Sequence, residues 1–115
     1  MELVDFLKAR LDEDEAAASR VKSSWRQIGE TGVIVASDGD RAEECANGNW
    51  TGIAEHIVRH DPARVLAEVE AKRRTMARIE NHAALMGRDE IHGDLLRLLA
   101  LPYAVHPDYN ASWKP

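Results

Sequence analysis

Apolar residues recur at steps of three and four positions through the first part of the chain. This spacing places them on one stripe of a helix, and no glycine or proline occurs before Gly29. We therefore predict a helix from about Glu2 into the early twenties. Residues 12–15 are all acidic and surround this helix at one level, with Asp14 or Glu15 nearest to the stripe. The stripe consists of Leu3, Phe6, Leu7, Leu11, Ala18 and Val21.

A short β-rich stretch follows this helix. Residues 33–35 are three β-branched side chains in succession, which favours an extended strand. Ser-Asp-Gly at residues 37–39 then provides a turn signal. Residues 25–28 are predicted to form the first arm of an antiparallel hairpin, and the hairpin must pack on helices because two strands alone are marginal in water. Residues 40–50 are predicted to be an irregular polar connection.

Two further helices are predicted on either side of Asp61. Residues 51–60 suit a short helix that must end before Pro62, because the residue ahead of a proline avoids helical backbone angles. Asp61 as the N-cap and Pro62 as the first helical residue favour a second long helix, from Pro62 to about Leu85. Two i,i+4 ion pairs support this helix, and they are Glu68 with Lys72 and Glu70 with Arg74.

The C-terminal part is predicted to contain a short helix and an aromatic tail. Residues 87–93 are a polar break, after which Asp94 caps a leucine-rich helix from Leu95 to Leu101 that Pro102 ends. The tail, residues 103–113, is rich in aromatic side chains and is predicted to lie in an extended form against the body of the domain.

These elements predict an α+β, helix-dominated fold with two long helices, a short C-terminal helix and a small antiparallel β-hairpin. The length suits a single domain over residues 1–115. Its core is predicted to contain Leu7, Leu11, Trp25, Val65, Val69, Met76, Ile79, Leu95, Leu98 and Leu99.

Composition narrows the class of protein. The chain has 115 residues, of which 44% are hydrophobic and 30% are charged, which is ordinary for a soluble globular protein. It has no apolar run of the roughly twenty residues that a membrane span needs, and its start lacks a signal-peptide pattern. The single cysteine, Cys45, cannot form a disulfide within the chain. We therefore expect a cytoplasmic protein that does not contact a membrane.

A basic stretch offers a candidate nucleic-acid interface. The net charge of −5 argues against a general nucleic-acid binder, so a local patch would have to carry this function. Consecutive basic residues on a helix spread around its circumference, and the neighbouring glutamates offset part of their charge. The candidate residues are Arg59, Arg64, Lys72, Arg73, Arg74 and Arg78.

Two histidines at helical spacing offer a candidate metal site. His56 and His60 are four residues apart and project from one side of a helix, with Asp61 as the next possible ligand. The zinc-protease motif also requires a glutamate directly after the first histidine, and Ile57 occupies that position. Further ligands would have to come from scattered positions, namely Cys45, His82, His92 and His106.

Catalytic patterns are otherwise missing from the sequence. Glu43 and Glu44 lack the spacing of a magnesium-dependent pyrophosphatase, and Asp12 with Glu15 has no matching second motif. No serine lies in a Gly-x-Ser-x-Gly elbow, and no glycine-rich phosphate loop occurs. We therefore predict that the chain is not an enzyme and needs no cofactor.

Three long stretches resemble one known group of proteins. They are residues 3–15 (LVDFLKARLDEDE), 55–74 (EHIVRHDPARVLAEVEAKRR) and 96–109 (LRLLALPYAVHPDY). They resemble a family of small actinobacterial and actinophage proteins that is known only as a domain of unknown function. That family often has Gly-Pro-Trp after the first helix, where this chain has Ser23, Ser24 and Trp25. A looser likeness to early-region proteins of temperate phages also implies a phage or prophage setting.

The sequence thus leads to three functional hypotheses. The first is a non-enzymatic protein-interaction module that binds an unknown host or phage protein or forms a homo-oligomer, because two amphipathic helices exceed what a small domain covers. The alternative is a nucleic-acid-associated early phage protein that uses the basic helix. The third is a metal-dependent hydrolase that uses His56, His60 and Asp61.

Overall fold

A computed structural model describes residues 1–21 and 23–115 of the chain. It contains four helices, three strands and two short 3-10 turns in this part of the chain. The helices are α1 (Leu3–Val21), α2 (Thr51–Arg59), α3 (Pro62–Met86) and α4 (Glu90–Ala100); the strands are β1 (Ser24–Gln27), β2 (Val33–Asp38) and β3 (Arg41–Asn47). The predicted α+β, helix-dominated class is confirmed. The first helix is also predicted to continue past Val21, but position 22 lies outside the described residues.

The chain forms two compact units, of which one comprises residues 14–68. Its centre is an antiparallel sheet in the order β1-β2-β3. Ile34 of the central strand is fully buried. The predicted pairing of residues 25–28 with the β-branched stretch is confirmed, since Arg26 lies opposite Val35 and Gln27 opposite Ile34.

The prediction of an irregular connection over residues 40–50 is wrong, because residues 41–47 form β3. The turn at 38–41 directs the chain back along β2, and most side chains of β3 are exposed. The pairing contains one bulge: Ile34 pairs with Ala46 and Val35 with Glu44, which leaves Cys45 as the extra, exposed residue.

Helix α2 packs against β1 and β2 in the same unit. The Gln27 side chain donates hydrogen bonds to the carbonyl and hydroxyl oxygens of Thr51, at 3.1 and 2.7 Å. A side chain at Gly48 would lie 2.9 Å from the backbone nitrogen of Ala54, so glycine permits the close approach of the loop to the helix. The buried Ala54 gives α2 a flat contact surface.

The start of α3 confirms the predicted cap. The Asp61 carboxylate accepts a hydrogen bond from the backbone nitrogen of Arg64 at 3.0 Å, and Pro62 is the first helical residue. The second oxygen of Asp61 accepts from the backbone nitrogen of Trp25 at 3.2 Å. Asp61 therefore joins the start of α3 to the first strand.

The other unit comprises residues 1–13 and 69–115. Phe6 is completely buried, and the rings of Tyr103, Tyr109 and Trp113 surround it at centroid distances of 6.4, 5.8 and 5.1 Å. The tail therefore packs as predicted but in compact turns, at Leu101–Tyr103 and Ala111–Trp113, and the prediction of an extended form is wrong. The buried apolar side chains of this unit are Phe6, Leu7, Leu11, Val69, Met76, Ile79, Ala83, Leu96 and Ala100.

Helix α4 begins earlier than predicted. Asp89, rather than Asp94, is its N-cap, and its side chain accepts from the backbone nitrogens of Ile91 and His92. The buried leucine of this helix is Leu96, whereas Leu95 and Leu98 are exposed, so their predicted place in the core is wrong. Of the other predicted core residues, Leu7, Leu11, Val69, Met76 and Ile79 are buried, and Trp25, Val65 and Leu99 are half-buried.

The prediction of a single domain over residues 1–115 stays a prediction. None of the helices in the described part of the chain combines the length and the apolar character of a membrane span.

Candidate functional site

The loop between α3 and α4 is held in place by three consecutive residues. Gly87 follows the end of α3 with φ of +87°, a conformation that favours glycine. Arg88 donates from Nη2 to both carboxylate oxygens of Glu80, at 2.7 and 2.8 Å. Asp89 caps α4. This loop brings together two histidines that are ten residues apart in the sequence.

These two histidines, His82 of α3 and His92 of α4, form a hydrogen-bonded pair. The Nδ1 atom of His82 lies 2.8 Å from Nε2 of His92. His92 is buried, with 4% of its surface exposed, whereas His82 is exposed. On the far side of His92, Asp89 places both its backbone nitrogen and its Oδ1 atom 3.0 Å from Nδ1. Asp89, His92 and His82 thus form a continuous chain from the cap of α4 to the surface.

A cavity of about 290 Å³ lies beside this pair. Its apolar walls are the side chains of Ile79, Ile91 and Leu95, and its polar groups include His82 and Arg78. Arg78 and His82 are four residues apart on α3 and therefore share one face of the helix. Arg78 is exposed, and the described residues provide it with no ion-pair partner. The cavity thus combines an apolar wall with a cation and an imidazole.

One apolar stripe of α4 faces away from the core. Ile91, Leu95 and Leu98 are spaced at i, i+4 and i+7, and they are 65%, 42% and 52% exposed. This spacing places the three side chains in one row along the helix. Asp94 and Arg97 lie beside the row and form an ion pair at 2.5 Å. We call Ile91, Leu95 and Leu98 the outer stripe of α4.

A buried arginine fixes the C-terminal tail. Arg10 is 6% exposed, and its Nη1 donates to Nδ1 of His106 at 2.7 Å while Nη2 contacts Glu13 at 2.9 Å. His106 Nδ1 also accepts from the backbone nitrogen of Asp108 at 3.0 Å. The guanidinium carbon lies 5.0 Å from the centre of the Phe6 ring. Both terminal nitrogens of Arg10 are directed at side chains of the chain itself, which favours a structural role, whereas Arg10 Nε and the Tyr109 hydroxyl are buried without a hydrogen-bond partner in the part of the chain that the structure describes.

With this geometry established, the comparisons with known proteins give a family. The whole chain, residues 1–115, matches a family described as one of unknown function. The chain belongs to DUF6221. No curated protein and no solved structure shows significant similarity to this DUF6221 chain. The predicted resemblance to a domain of unknown function is thus confirmed at the level of the family.

The candidate nucleic-acid residues of the DUF6221 chain are mostly engaged with its own side chains. Acidic partners lie within 4 Å of four of the six, and Lys72 lies over the Tyr103 ring at 5.4 Å. The predicted pair of Glu70 and Arg74 forms, whereas Glu68 contacts Arg64. The ion pairs are Arg59–Glu55 at 3.7 Å, Arg64–Glu68 at 3.0 Å, Arg73–Asp12 at 2.8 Å and Arg74–Glu70 at 2.9 Å.

The candidate metal residues are close together, but His60 and Asp61 contact backbone groups of the chain. The rings of His56 and His60 are 4.5 Å apart, and His60 Nδ1 lies 2.8 Å from the His56 carbonyl oxygen. Asp61 accepts from two backbone nitrogens. Among the described residues, no three His, Cys, Asp or Glu side chains could hold one ion. Of the scattered candidates, the structure pairs His82 with His92, a contact that their spacing in the sequence does not indicate.

Proposed function

We propose that this protein is a non-enzymatic interaction module that associates with a second copy of itself through the outer stripe of α4. The observation that carries this proposal is the exposure of Ile91, Leu95 and Leu98 in one row. Monomeric proteins rarely leave a contiguous row of large apolar side chains open to water, and such patches commonly mark protein interfaces. Covering three such side chains removes a substantial apolar area from solvent.

Two α4 helices from two copies of the chain can pack antiparallel, so that the outer stripe of one copy contacts the outer stripe of the other. In this arrangement Leu95 contacts Leu95 of the second copy, and Ile91 contacts Leu98 of the second copy. A two-fold axis at this point is the commonest symmetry of homodimers. The interface is then self-complementary in its apolar part.

The charges beside the outer stripe also fit this arrangement. A two-fold axis perpendicular to the helices keeps Asp94 and Arg97 of both copies on the same flank. Asp94 then lies within about one residue's rise, ~1.5 Å along the axis, of Arg97 in the second copy. The ion pair seen within each helix can thus be exchanged across the interface, where opposite charges select the register.

Sedimentation velocity over a wide concentration range tests this association. We expect a concentration-dependent dimer that Leu98→Glu weakens at least tenfold, because the substitution buries a charge in the apolar row. Ile53→Glu on α2 is the control, since Ile53 is also a partly exposed aliphatic residue, at 43% against 52% for Leu98. A chain that stays monomeric at all concentrations contradicts the proposal, as does an equal effect of the two substitutions.

Charge reversal tests the antiparallel register separately. Asp94→Arg and Arg97→Asp should each weaken self-association, because each variant has like charges on both copies. When the two variants are mixed, opposite charges face each other again, and a heterodimer should form. Repair of the ion pair within one helix cannot produce this result, since neither variant regains that pair. Failure of the mixture to associate better than either variant contradicts the register.

Nucleic-acid binding through the basic residues is the alternative, and a metal-dependent hydrolase is a distant third. The paired state of Arg59, Arg64, Arg73 and Arg74 favours the interaction module over this alternative. Binding to DNA or RNA that weakens steeply with salt would support the alternative. Stoichiometric metal in the purified protein would support the hydrolase.

The proposed setting is the cytoplasm of an actinobacterial cell that carries a phage or prophage. The support for this setting is the resemblance of residues 55–74 and 96–109 to small actinobacterial and actinophage proteins. In this setting a second partner, a host or phage protein, can use the same apolar row.

A further inference from the structure

The histidine pair leaves one ring nitrogen available at the cavity. His82 Nδ1 is occupied by His92, so Nε2 is the atom with which His82 can contact a ligand. When His92 accepts from the backbone nitrogen of Asp89, its own Nε2 proton is donated to His82. His82 then carries its proton on Nε2 and acts as a donor.

A second group also lies close to His92 Nδ1, since Asp89 Oδ1 is 3.0 Å away. The backbone N–H group of Asp89 points at the same nitrogen, and an amide keeps its proton. A proton on His92 Nδ1 would face this N–H group, so Nδ1 is the acceptor. The geometry therefore favours the state in which His82 Nε2 is a donor.

Arg78 adds a positive charge to the same face of α3. Arg78 and His82 are one helical turn apart, and both line the cavity. A guanidinium without an ion-pair partner in the described chain is suited to a carboxylate, which it can bind through two parallel hydrogen bonds. The His82 Nε2–H group can donate to the same carboxylate.

The remaining walls of the cavity indicate the rest of the ligand. Ile79, Ile91 and Leu95 form an apolar surface, and a volume of about 290 Å³ suits a small molecule. The Asp89 carboxylate also lines the cavity and repels negative charge, so one positive charge on Arg78 suits a ligand with a single negative charge better than one with two. This combination favours a singly charged anion with a compact apolar group.

We propose that the cavity between α3 and α4 binds a small apolar monocarboxylate. Arg78 and His82 hold the carboxylate, and Ile79, Ile91 and Leu95 cover the apolar group. His92 and Asp89 are positioning residues, because they act through His82. This site does not depend on self-association, although Ile91 and Leu95 contribute to both surfaces.

Nitrogen-detected NMR of the histidine rings tests the site, with benzoate as the probe. We expect a saturable shift of the His82 ring resonances and a proton on Nε2 in the complex. Benzyl alcohol, which has the ring without the charge, should bind at least tenfold more weakly. Inorganic phosphate, which has the charge without the apolar group, should also bind more weakly than benzoate.

Three substitutions distinguish this site from general attraction of an anion. Arg78→Met keeps an unbranched side chain like the aliphatic part of arginine and removes the charge, and it should weaken benzoate binding about tenfold. Arg74→Met, one turn away on α3 and outside the cavity lining, should have no effect. His82→Asn keeps an oxygen that accepts from His92 and removes the second ring nitrogen, so it should weaken binding with little change in stability.

The titration is repeated in the Leu98→Glu variant, because Leu98 is not among the residues that line the cavity. Benzoate binding in this variant supports the site whether or not the chain dimerises. The proposal is wrong if benzoate shifts no His82 resonance at millimolar concentration. It is also wrong if Arg78→Met and Arg74→Met have equal effects, or if benzyl alcohol binds as well as benzoate.

Discussion

On one side of α4, Leu96 and Ala100 are buried, whereas on the far side Ile91, Leu95 and Leu98 are open to solvent. Both faces consist of aliphatic side chains, and both have helical spacing. The difference is that the rest of the unit covers one face and leaves the other uncovered. A leucine-rich helix can thus contribute to the core and offer an interface at the same time, and mutations on the two faces should separate the two roles.

Two histidine sites in the same unit show a similar contrast. His106 Nδ1 accepts from Arg10 and from the backbone nitrogen of Asp108. Its neighbours are polar groups of the chain itself and the Phe6 ring, 5.7 Å away. His82 instead lines an open cavity beside Arg78. The His106 site therefore holds the tail, whereas the His82 site offers Nε2 of His82 and the guanidinium of Arg78 to the proposed ligand.

The largest expected effect is the difference in the free energy of unfolding between substitutions on the two sides of α4. Leu96→Ala removes a side chain that is 2% exposed and should lower the free energy of unfolding by about 2–5 kcal/mol. Leu98→Ala removes one that is 52% exposed and should change it by less than about 0.5 kcal/mol. Urea unfolding of both variants at low protein concentration, where monomers dominate, measures the difference. Equal losses would show that the two faces are not distinct.

A smaller difference is expected between the two aspartates near the start of α4. Asp89→Ala removes the acceptor for the backbone nitrogens of Ile91 and His92, at 2.9 and 3.3 Å, and should cost about 1 kcal/mol. Asp94→Ala removes an exposed ion pair with Arg97 and should cost less than about 0.5 kcal/mol. Urea unfolding compares the two variants. A larger loss for Asp94→Ala would indicate that α4 begins at the later position.

The start of α4 also shows what the sequence can and cannot predict. Asp94 stands directly before the leucine-rich run, so the pattern favours it as the cap. The helix begins five residues earlier because His92 closes the capping box, with its ring accepting from the Asp89 backbone nitrogen. Glutamate or glutamine usually fills this position, and a histidine there gives no comparable signal.

Other elements have stronger local signals, and their predictions are confirmed. Asp61 and Pro62 define the start of α3 through a cap and a fixed backbone angle, both local effects. The β-branched residues of β2 likewise favour a strand. The sequence of strand β3 has no alternation of apolar and polar residues, and most of its side chains are exposed. The strand forms because the preceding turn places it beside β2. Such a strand depends on its neighbour and not on its own pattern.

The candidate site depends on a contact between distant residues. His82 and His92 occur in the sequence among scattered histidines, and their spacing of ten residues matches no motif. The loop at residues 87–89 brings them together, and its geometry requires the positive φ of Gly87 and the contact of Arg88 with Glu80. The glycine is a visible signal for a helix end, but the direction in which the next helix leaves is a tertiary property.

A smaller effect than that of Asp89→Ala is expected at Gly93, which lies inside α4 on the side away from the outer stripe. A side chain there would lie 3.4 Å from the Arg97 guanidinium, whose flexible end can move at low cost. Glycine within a helix costs roughly 0.5–1 kcal/mol relative to alanine, so Gly93→Ala should stabilise the chain by about that amount. Gly87→Ala should have the opposite sign, because φ of +87° strains any residue with a Cβ atom. Thermal or urea unfolding of both variants measures the signs. If Gly93→Ala instead destabilises the chain, the contact with Arg97 is rigid.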